Sequence, residues 1–243
     1  MIIQKIRHAF SGYYNFLLLF LTLLFIFRPH SQNSTAVLAI WQSLLSLALL
    51  SAIFNAHHLR AVKITITALA IPTIIFCWLT LLHPSTFVFL TNTCLLILFL
   101  GICSTSIIYD VVVRARITLE TLRGVVCAYF MVGFLFAYIY YLTEFLAPES
   151  FYLLHREIGI FSYAEFLSEF LYFSFVTLLT VGFGDITPTQ NPAQTAVVIE
   201  GIIGQFYVAI LVARIVAVYA LSSNKRLIRT IEADIGAKKK LKK

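Results

Sequence analysis

Residues 177–185 read Thr-Leu-Leu-Thr-Val-Gly-Phe-Gly-Asp, and this stretch decides how the rest of the chain is interpreted. Gly182 and Gly184 allow backbone conformations that aim successive carbonyl groups the same way. Residues 164–179, which lead into this stretch and overlap its start, are mostly apolar and predict a helix of about half the length needed to cross a bilayer. Non-helical chain at membrane depth is tolerated only where it is buried in protein or lines a wet path. The pattern therefore predicts a re-entrant helix followed by an extended segment along such a path.

The composition places this stretch in a membrane protein. The chain has 243 residues, of which 60% are hydrophobic and only 12% are charged, whereas soluble domains carry about 25% charge. Four windows contain no Lys, Arg, Asp or Glu, namely 9–27, 29–59, 64–109 and 124–143. Since a membrane helix needs about 20 apolar residues, the chain is predicted to cross the membrane several times.

Breaks at charged and proline-containing positions divide the chain into six predicted membrane helices. They lie near residues 10–28, 35–55, 64–82, 86–109, 123–146 and 193–221. If the N-terminus is cytoplasmic, 15 of the 18 Lys and Arg residues fall on the cytoplasmic side. Because basic residues are retained on that side, we expect a multi-pass protein of the cell membrane with both termini in the cytoplasm.

A basic run closes the sequence, reading Lys238-Lys239-Lys240-Leu241-Lys242-Lys243. Next to a membrane, such a run is expected to attract anionic lipid headgroups, and a plain solvated tail is an equal alternative. The other basic residues are divided among loops, so the charge reflects topology and we expect no nucleic-acid partner.

The stretch from 123 to 221 resembles the pore domain of potassium channels, with an outer helix, a pore helix, a signature sequence and an inner helix. The family signature Thr-x-x-Thr-Val-Gly-Phe-Gly-Asp is matched at Thr177, Thr180, Val181, Gly182, Phe183, Gly184 and Asp185. The family more often has Tyr where this chain has Phe183. Phe183 therefore lacks the tyrosine hydroxyl that can support the filter from behind.

The resemblance implies roles for these residues. Potassium would be bound by the carbonyls of Thr180, Val181, Gly182 and Phe183 and by the Thr180 hydroxyl, with Gly184 completing the filter. These carbonyls would replace the hydration shell of the ion. Thr177, Tyr172 and Asp185 would support the filter, the last two through a hydrogen bond. Potassium is the permeant ion, and no cofactor is expected.

The inner helix receives its roles in the same way. Gly204 matches a glycine that the family uses as a hinge, and Gln205, Val208 and Val212 would then face the cavity or the gate. One filter loop cannot surround an ion, so the resemblance implies four chains around an axis.

The predicted fold is therefore an all-α transmembrane homotetramer. Each chain would contribute six membrane helices, a re-entrant pore helix and an extended selectivity filter. The predicted divisions are a four-helix region over 1–110, a cytoplasmic linker helix over 111–122, the pore domain over 123–221 and a basic tail over 222–243.

The fourth predicted span, 86–109, carries no basic residue. Moving one charge through the membrane field contributes about 2.3 kcal/mol per 100 mV, so a helix without basic residues predicts weak or absent voltage gating. The first four spans are either a structural collar around the pore or a ligand-sensing bundle.

Two charged residues lie inside the sixth predicted span, where charges are costly. Glu200 and Arg214 are about 21 Å apart along one helix, too far to pair. Glu200 is expected at the level of the filter, as structural support behind the pore helix. Arg214 is expected near the inner mouth, where it could anchor to the linker or a neighbouring subunit. Contacts with water or lipid headgroups are alternatives for both.

The sequence thus predicts a potassium-selective channel that conducts passively, and a nonselective cation channel with the same pore fold is the alternative. An enzyme or transporter would need a constellation of polar groups in the first four spans. Only scattered Ser, Thr, Asn33, Gln42 and Asn92 occur there, so no enzymatic activity is expected.

Overall fold

The computed structural model describes residues 14–27, 35–55, 60–113, 119–153 and 163–214. The elements in these ranges are α1 Tyr14–Ile26, α2 Thr35–Asn55, α3 Arg60–Leu82, α4 Thr86–Val113, α5 Leu119–Leu146, β1 Phe151–Leu153, α6 Tyr163–Leu178, β2 Ile186–Pro188 and α7 Asn191–Arg214. The regular secondary structure of the described residues is thus helical apart from one pair of short strands.

Five of these helices contain an apolar stretch long enough to cross a membrane. The stretches are Ala36–Phe54, Arg60–Leu82, Thr86–Asp110, Glu120–Leu146 and Asn191–Arg214. They correspond to the second through sixth predicted spans. The first predicted span, near 10–28, is described as helix only over the 13 residues of α1, and its ends lie outside the described residues.

Two of the first four helices, α1 and α4, pack against α5 of the same chain. Helix α1 contacts α2 and α5, the pairs α2–α3 and α3–α4 pack in sequence, and α4 packs along α5. Fully buried apolar side chains fill the space between α1, α2, α4 and α5, among them Leu17, Leu24, Leu49, Phe99 and Met131. This core attaches the four-helix region directly to α5, which in turn contacts α6.

The segment 111–122 was predicted to form a separate linker helix. Its first residues, 111–113, continue α4, and its last residues, 119–122, belong to the first turn of α5. Residues 114–118 lie outside the described ranges.

The two short strands form an antiparallel pair that the sequence analysis did not anticipate. Phe151 pairs with Pro188, and Leu153 pairs with Ile186. Glu144 lies near the end of α5, and its carboxylate accepts hydrogen bonds from the backbone N–H groups of Glu149 and Phe151, both at 3.1 Å. The pair thereby joins the chain after α5 to the segment that follows residue 185.

Candidate functional site

The half-length helix α6 ends where the signature sequence begins. The Thr180 N–H donates to the Thr177 carbonyl, and the Val181 N–H donates to the Val176 carbonyl, both at 3.0 Å. Residues 181–183 then have no regular secondary structure. The half-length helix predicted over 164–179 and the non-helical chain after it are both present.

The backbone alternates between two conformations along the signature. Thr180, Gly182 and Gly184 have φ angles of 56°, 61° and 80°, whereas Val181 and Phe183 between them do not have positive φ. Left-handed and right-handed conformations turn the chain in opposite senses, so their alternation lets successive carbonyls face the same side. A β-branched residue is rarely found at positive φ, and Thr180 therefore stores strain of about 1–3 kcal/mol, as residues at functional sites often do.

The signature lies on the surface of the single chain. Residues 179–184 are all exposed, and Phe183 is 69% exposed. A Cβ atom added to Gly182 or Gly184 would meet no atom of the described chain within 4 Å. The signature is therefore uncovered along its length in the single chain.

The outer end of the signature is anchored to α6 by a side-chain hydrogen bond. The Tyr172 hydroxyl donates to Oδ2 of Asp185 at 2.8 Å, and Oδ1 of the same carboxylate accepts the N–H of Ile186 at 3.1 Å. The Tyr172–Asp185 hydrogen bond expected from the family resemblance is thus present in the structure.

The inner end of the signature lies at a junction of three helices. The Tyr129 hydroxyl of α5 donates to the Leu178 carbonyl at the end of α6, at 3.0 Å. Gly204 of α7 is buried, and a Cβ added there would lie 3.0 Å from the same carbonyl oxygen. Tyr207, one turn further along α7, donates its hydroxyl to the Val125 carbonyl of α5 at 2.5 Å. The family resemblance points to Gly204 but to neither tyrosine.

A second polar cluster lies behind α6. Glu200 is fully buried, and its carboxyl group contacts Ser174 of α6, with 2.5 Å between Oε1 and Oγ. The other carboxyl oxygen accepts a hydrogen bond from the Tyr140 hydroxyl of α5. Ser174 Oγ also lies 2.8 Å from the Gly133 carbonyl oxygen. Glu200 therefore lies behind the half-length helix, where the sequence analysis expected it, and Ser174 and Tyr140 are partners that it missed.

The inner helix α7 is largely uncovered in the single chain. Only 11% of its most apolar window is buried, and Gln205, Val208 and Val212 are all exposed. Val208 and Val212 follow Gly204 at four-residue spacing and therefore lie near the same face of the helix, whereas Gln205 lies about 100° round from it. Arg214 is the last described residue of α7.

The family comparison agrees with this geometry. Residues 125–220 match the family model described as "Ion channel". The match runs from the early part of α5 to beyond residue 214, the last described residue of α7, and so contains the signature and both of its anchors. Through this region the chain is similar to ion channels. No curated protein and no solved structure matches the chain.

Proposed function

We propose that the protein is a potassium-selective channel of the cell membrane, in which four identical chains surround one conduction path. The observation that carries this proposal is the alternation of φ along Thr180, Gly182 and Gly184, within a stretch that matches the potassium-channel signature. A chance match to the signature sequence would not require Thr180 to adopt a strained backbone conformation.

The chemistry follows from that backbone. Carbonyl oxygens of Thr180, Val181, Gly182 and Phe183, with the Thr180 hydroxyl, would replace the water around a potassium ion. The C-terminal end of α6 carries partial negative charge, so it favours a cation just inside the filter. The ion passes down its gradient, and no bond is made or broken.

Four-fold assembly would cover what the single chain leaves open. The exposed signature needs partners around the ion, because one strand supplies carbonyls from one side only. Helix α7 exposes Ile202 and Phe206, at 51% and 63%, and neighbouring subunits would cover these side chains. Gln205, Val208 and Val212 would then line the cavity, with Gly204 beside the pore helix and available as a hinge.

The remaining topology completes the proposal. Helix α1, together with residues before it, would form a sixth crossing, α6 would be re-entrant, and both termini would be cytoplasmic. The lysines at 238–243 would meet anionic lipid, although they lie outside the described residues. The first four helices would form a collar, since α1 and α4 pack directly on α5.

Reversal potentials test the proposal. The purified protein is placed in planar bilayers with potassium on one side and sodium on the other, and we expect a reversal potential close to the potassium limit. Gly182→Ala should abolish selective current, because alanine at a φ of 61° is strained. Gly101→Ala is the matched control, since this helical glycine of α4 has open space around it, and it should behave as wild type.

A wild-type reversal potential near zero with clear openings would overturn potassium selectivity. The nonselective cation channel would then be the correct function. The missing hydroxyl at Phe183 would be the first feature to examine.

A further inference from the structure

Glu200 forms a buried cluster with two hydroxyl side chains behind the half-length helix. Glu200, Ser174 and Tyr140 are each 0% exposed, and they belong to α7, α6 and α5. Three short contacts join them, namely Tyr140 Oη to Glu200 Oε2, Glu200 Oε1 to Ser174 Oγ, and Ser174 Oγ to the Gly133 carbonyl oxygen.

Counting protons over these contacts distinguishes the two forms of Glu200. Tyrosine and serine hydroxyls supply one donor each, and an ionised carboxylate supplies none. With ionised Glu200, only the two hydroxyl protons are available for the three contacts. Ser174 can then donate its proton either to Glu200 Oε1 at 2.5 Å or to the Gly133 oxygen at 2.8 Å, and the other contact has no hydrogen between its two oxygens. With neutral Glu200, Oε1 donates to Ser174, Ser174 donates to Gly133, and Tyr140 donates to Oε2. Each contact then holds one proton.

The surroundings of Glu200 point the same way. The described basic residues of α5 and α7 are Arg123 and Arg214, about 25 Å from Tyr140 and 21 Å from Glu200 along their helices. Tyr140 of α5 contacts Glu200, and Tyr129 of the same helix lies within electrostatic reach of it; both present uncharged hydroxyl groups, and α6 presents Ser174. Glu144, one turn beyond Tyr140, is acidic and is held by the backbone N–H groups of Glu149 and Phe151. A buried charge without a cation is costly inside a membrane.

We propose that Glu200 is a neutral carboxylic acid and a positioning residue of the selectivity filter. It joins the inner helix to the pore helix through Ser174 and to the outer helix through Tyr140. Ser174 lies in the half of α6 that leads into Thr180, and Tyr172 holds the outer end of the filter through Asp185. Glu200 thus fixes the middle of α6 against both of its neighbours. This role rests on the proposed potassium selectivity, whereas the protonation state does not.

Substitution of Glu200 tests the role. In Glu200→Gln the side-chain amide donates to Ser174 and its carbonyl accepts from Tyr140, which reproduces the pattern of the neutral acid. We expect the potassium-over-sodium permeability ratio of Glu200→Gln to remain within about twofold of wild type. That of Glu200→Ala should fall by about tenfold or more, because alanine removes both hydrogen bonds and the loss of one buried bond corresponds to about tenfold. Equal loss in both variants would overturn the neutral form. Glutamine reproduces the hydrogen bonds of a neutral acid, but it cannot accept hydrogen bonds at both positions as an ionised carboxylate does.

Infrared spectroscopy tests the protonation even if Glu200→Ala does not fold. The difference spectrum between wild type and Glu200→Gln at neutral pH should contain the carbonyl stretch of a protonated carboxylic acid. Glu144→Gln is the control, and it should remove a carboxylate band only, since Glu144 accepts two N–H groups. A carboxylate band lost in Glu200→Gln, without the protonated one, would overturn the inference. This result does not depend on whether the channel selects potassium.

Discussion

Replacing Gly204 with alanine distinguishes two reasons for a glycine at this position of the inner helix, namely close packing against Leu178 and use as a hinge. A Cβ at residue 204 would lie 3.0 Å from the Leu178 carbonyl oxygen, 3.0 Å from Leu178 Cδ2 and 3.3 Å from Leu178 Cα. The leucine side chain can rotate away, but the carbonyl is part of the backbone and is held by the Tyr129 hydroxyl at 3.0 Å. Alanine must therefore push α7 away from the end of α6.

The expected cost follows from two opposing terms. Alanine is favoured over glycine within a helix by about 0.5–1 kcal/mol, and an extra methyl group in a tight contact costs about 1–3 kcal/mol. Gly204→Ala should therefore lower the free energy of unfolding by about 1–2 kcal/mol per subunit. Gly101→Ala meets no atom within 4 Å, so it should raise the same quantity by about 0.5–1 kcal/mol.

Denaturant titrations of the two variants in detergent, followed by tryptophan fluorescence, measure these free energies. The opposite signs make the comparison decisive, because both variants make the same chemical change in a membrane helix. If Gly204→Ala is as stable as Gly101→Ala, the close approach to Leu178 is not what requires glycine. A hinge would then be the remaining reason, and alanine would alter channel opening without loss of stability.

Three further predictions concern packing, the filter anchor and voltage. Gly133→Ala places a Cβ 2.7 Å from the Phe175 ring, which also packs on Phe25 with 4.6 Å between ring centroids, so it should cost about 1–3 kcal/mol; a double-mutant cycle with Phe175→Leu should recover part of this loss, and full additivity would refute the clash. Tyr172→Phe removes the hydrogen bond to Asp185, worth about 1 kcal/mol, and should speed the decline of potassium current during a maintained gradient; an unchanged time course would show that the bond does not hold the filter. Open probability should change with voltage far less steeply than about 2.3 kcal/mol per 100 mV, since Thr86–Val113 carries no basic residue; a steep curve would place gating charge elsewhere.

Much of the architecture could be predicted because the membrane restricts what a chain can do. Charge-free windows set the second to fifth spans to within a few residues, since a crossing helix needs a fixed apolar length. The half-length helix before Thr180 and the irregular chain after it were likewise predicted from length and residue type. A local pattern is sufficient for features of this kind, because the backbone within the membrane has so few alternatives.

The contacts between helices could not be read from the sequence. Nothing in the spacing of Tyr140, Ser174 and Glu200 along the chain indicates that they meet, because they lie on three helices whose rotation depends on packing. The strand pair of Phe151–Leu153 with Ile186–Pro188 is equally non-local.

The sequence alone therefore determined the membrane class, the course of the chain and the position of the signature, because these depend on length, polarity and a short motif. Only the tertiary structure decided that Gly204 meets the Leu178 carbonyl, that Tyr129 and Tyr172 bond the two ends of the signature, and that Glu200 is buried between two hydroxyl groups. These relations depend on which helix faces turn towards one another. That is decided by the packing of the whole chain and by no single segment of it.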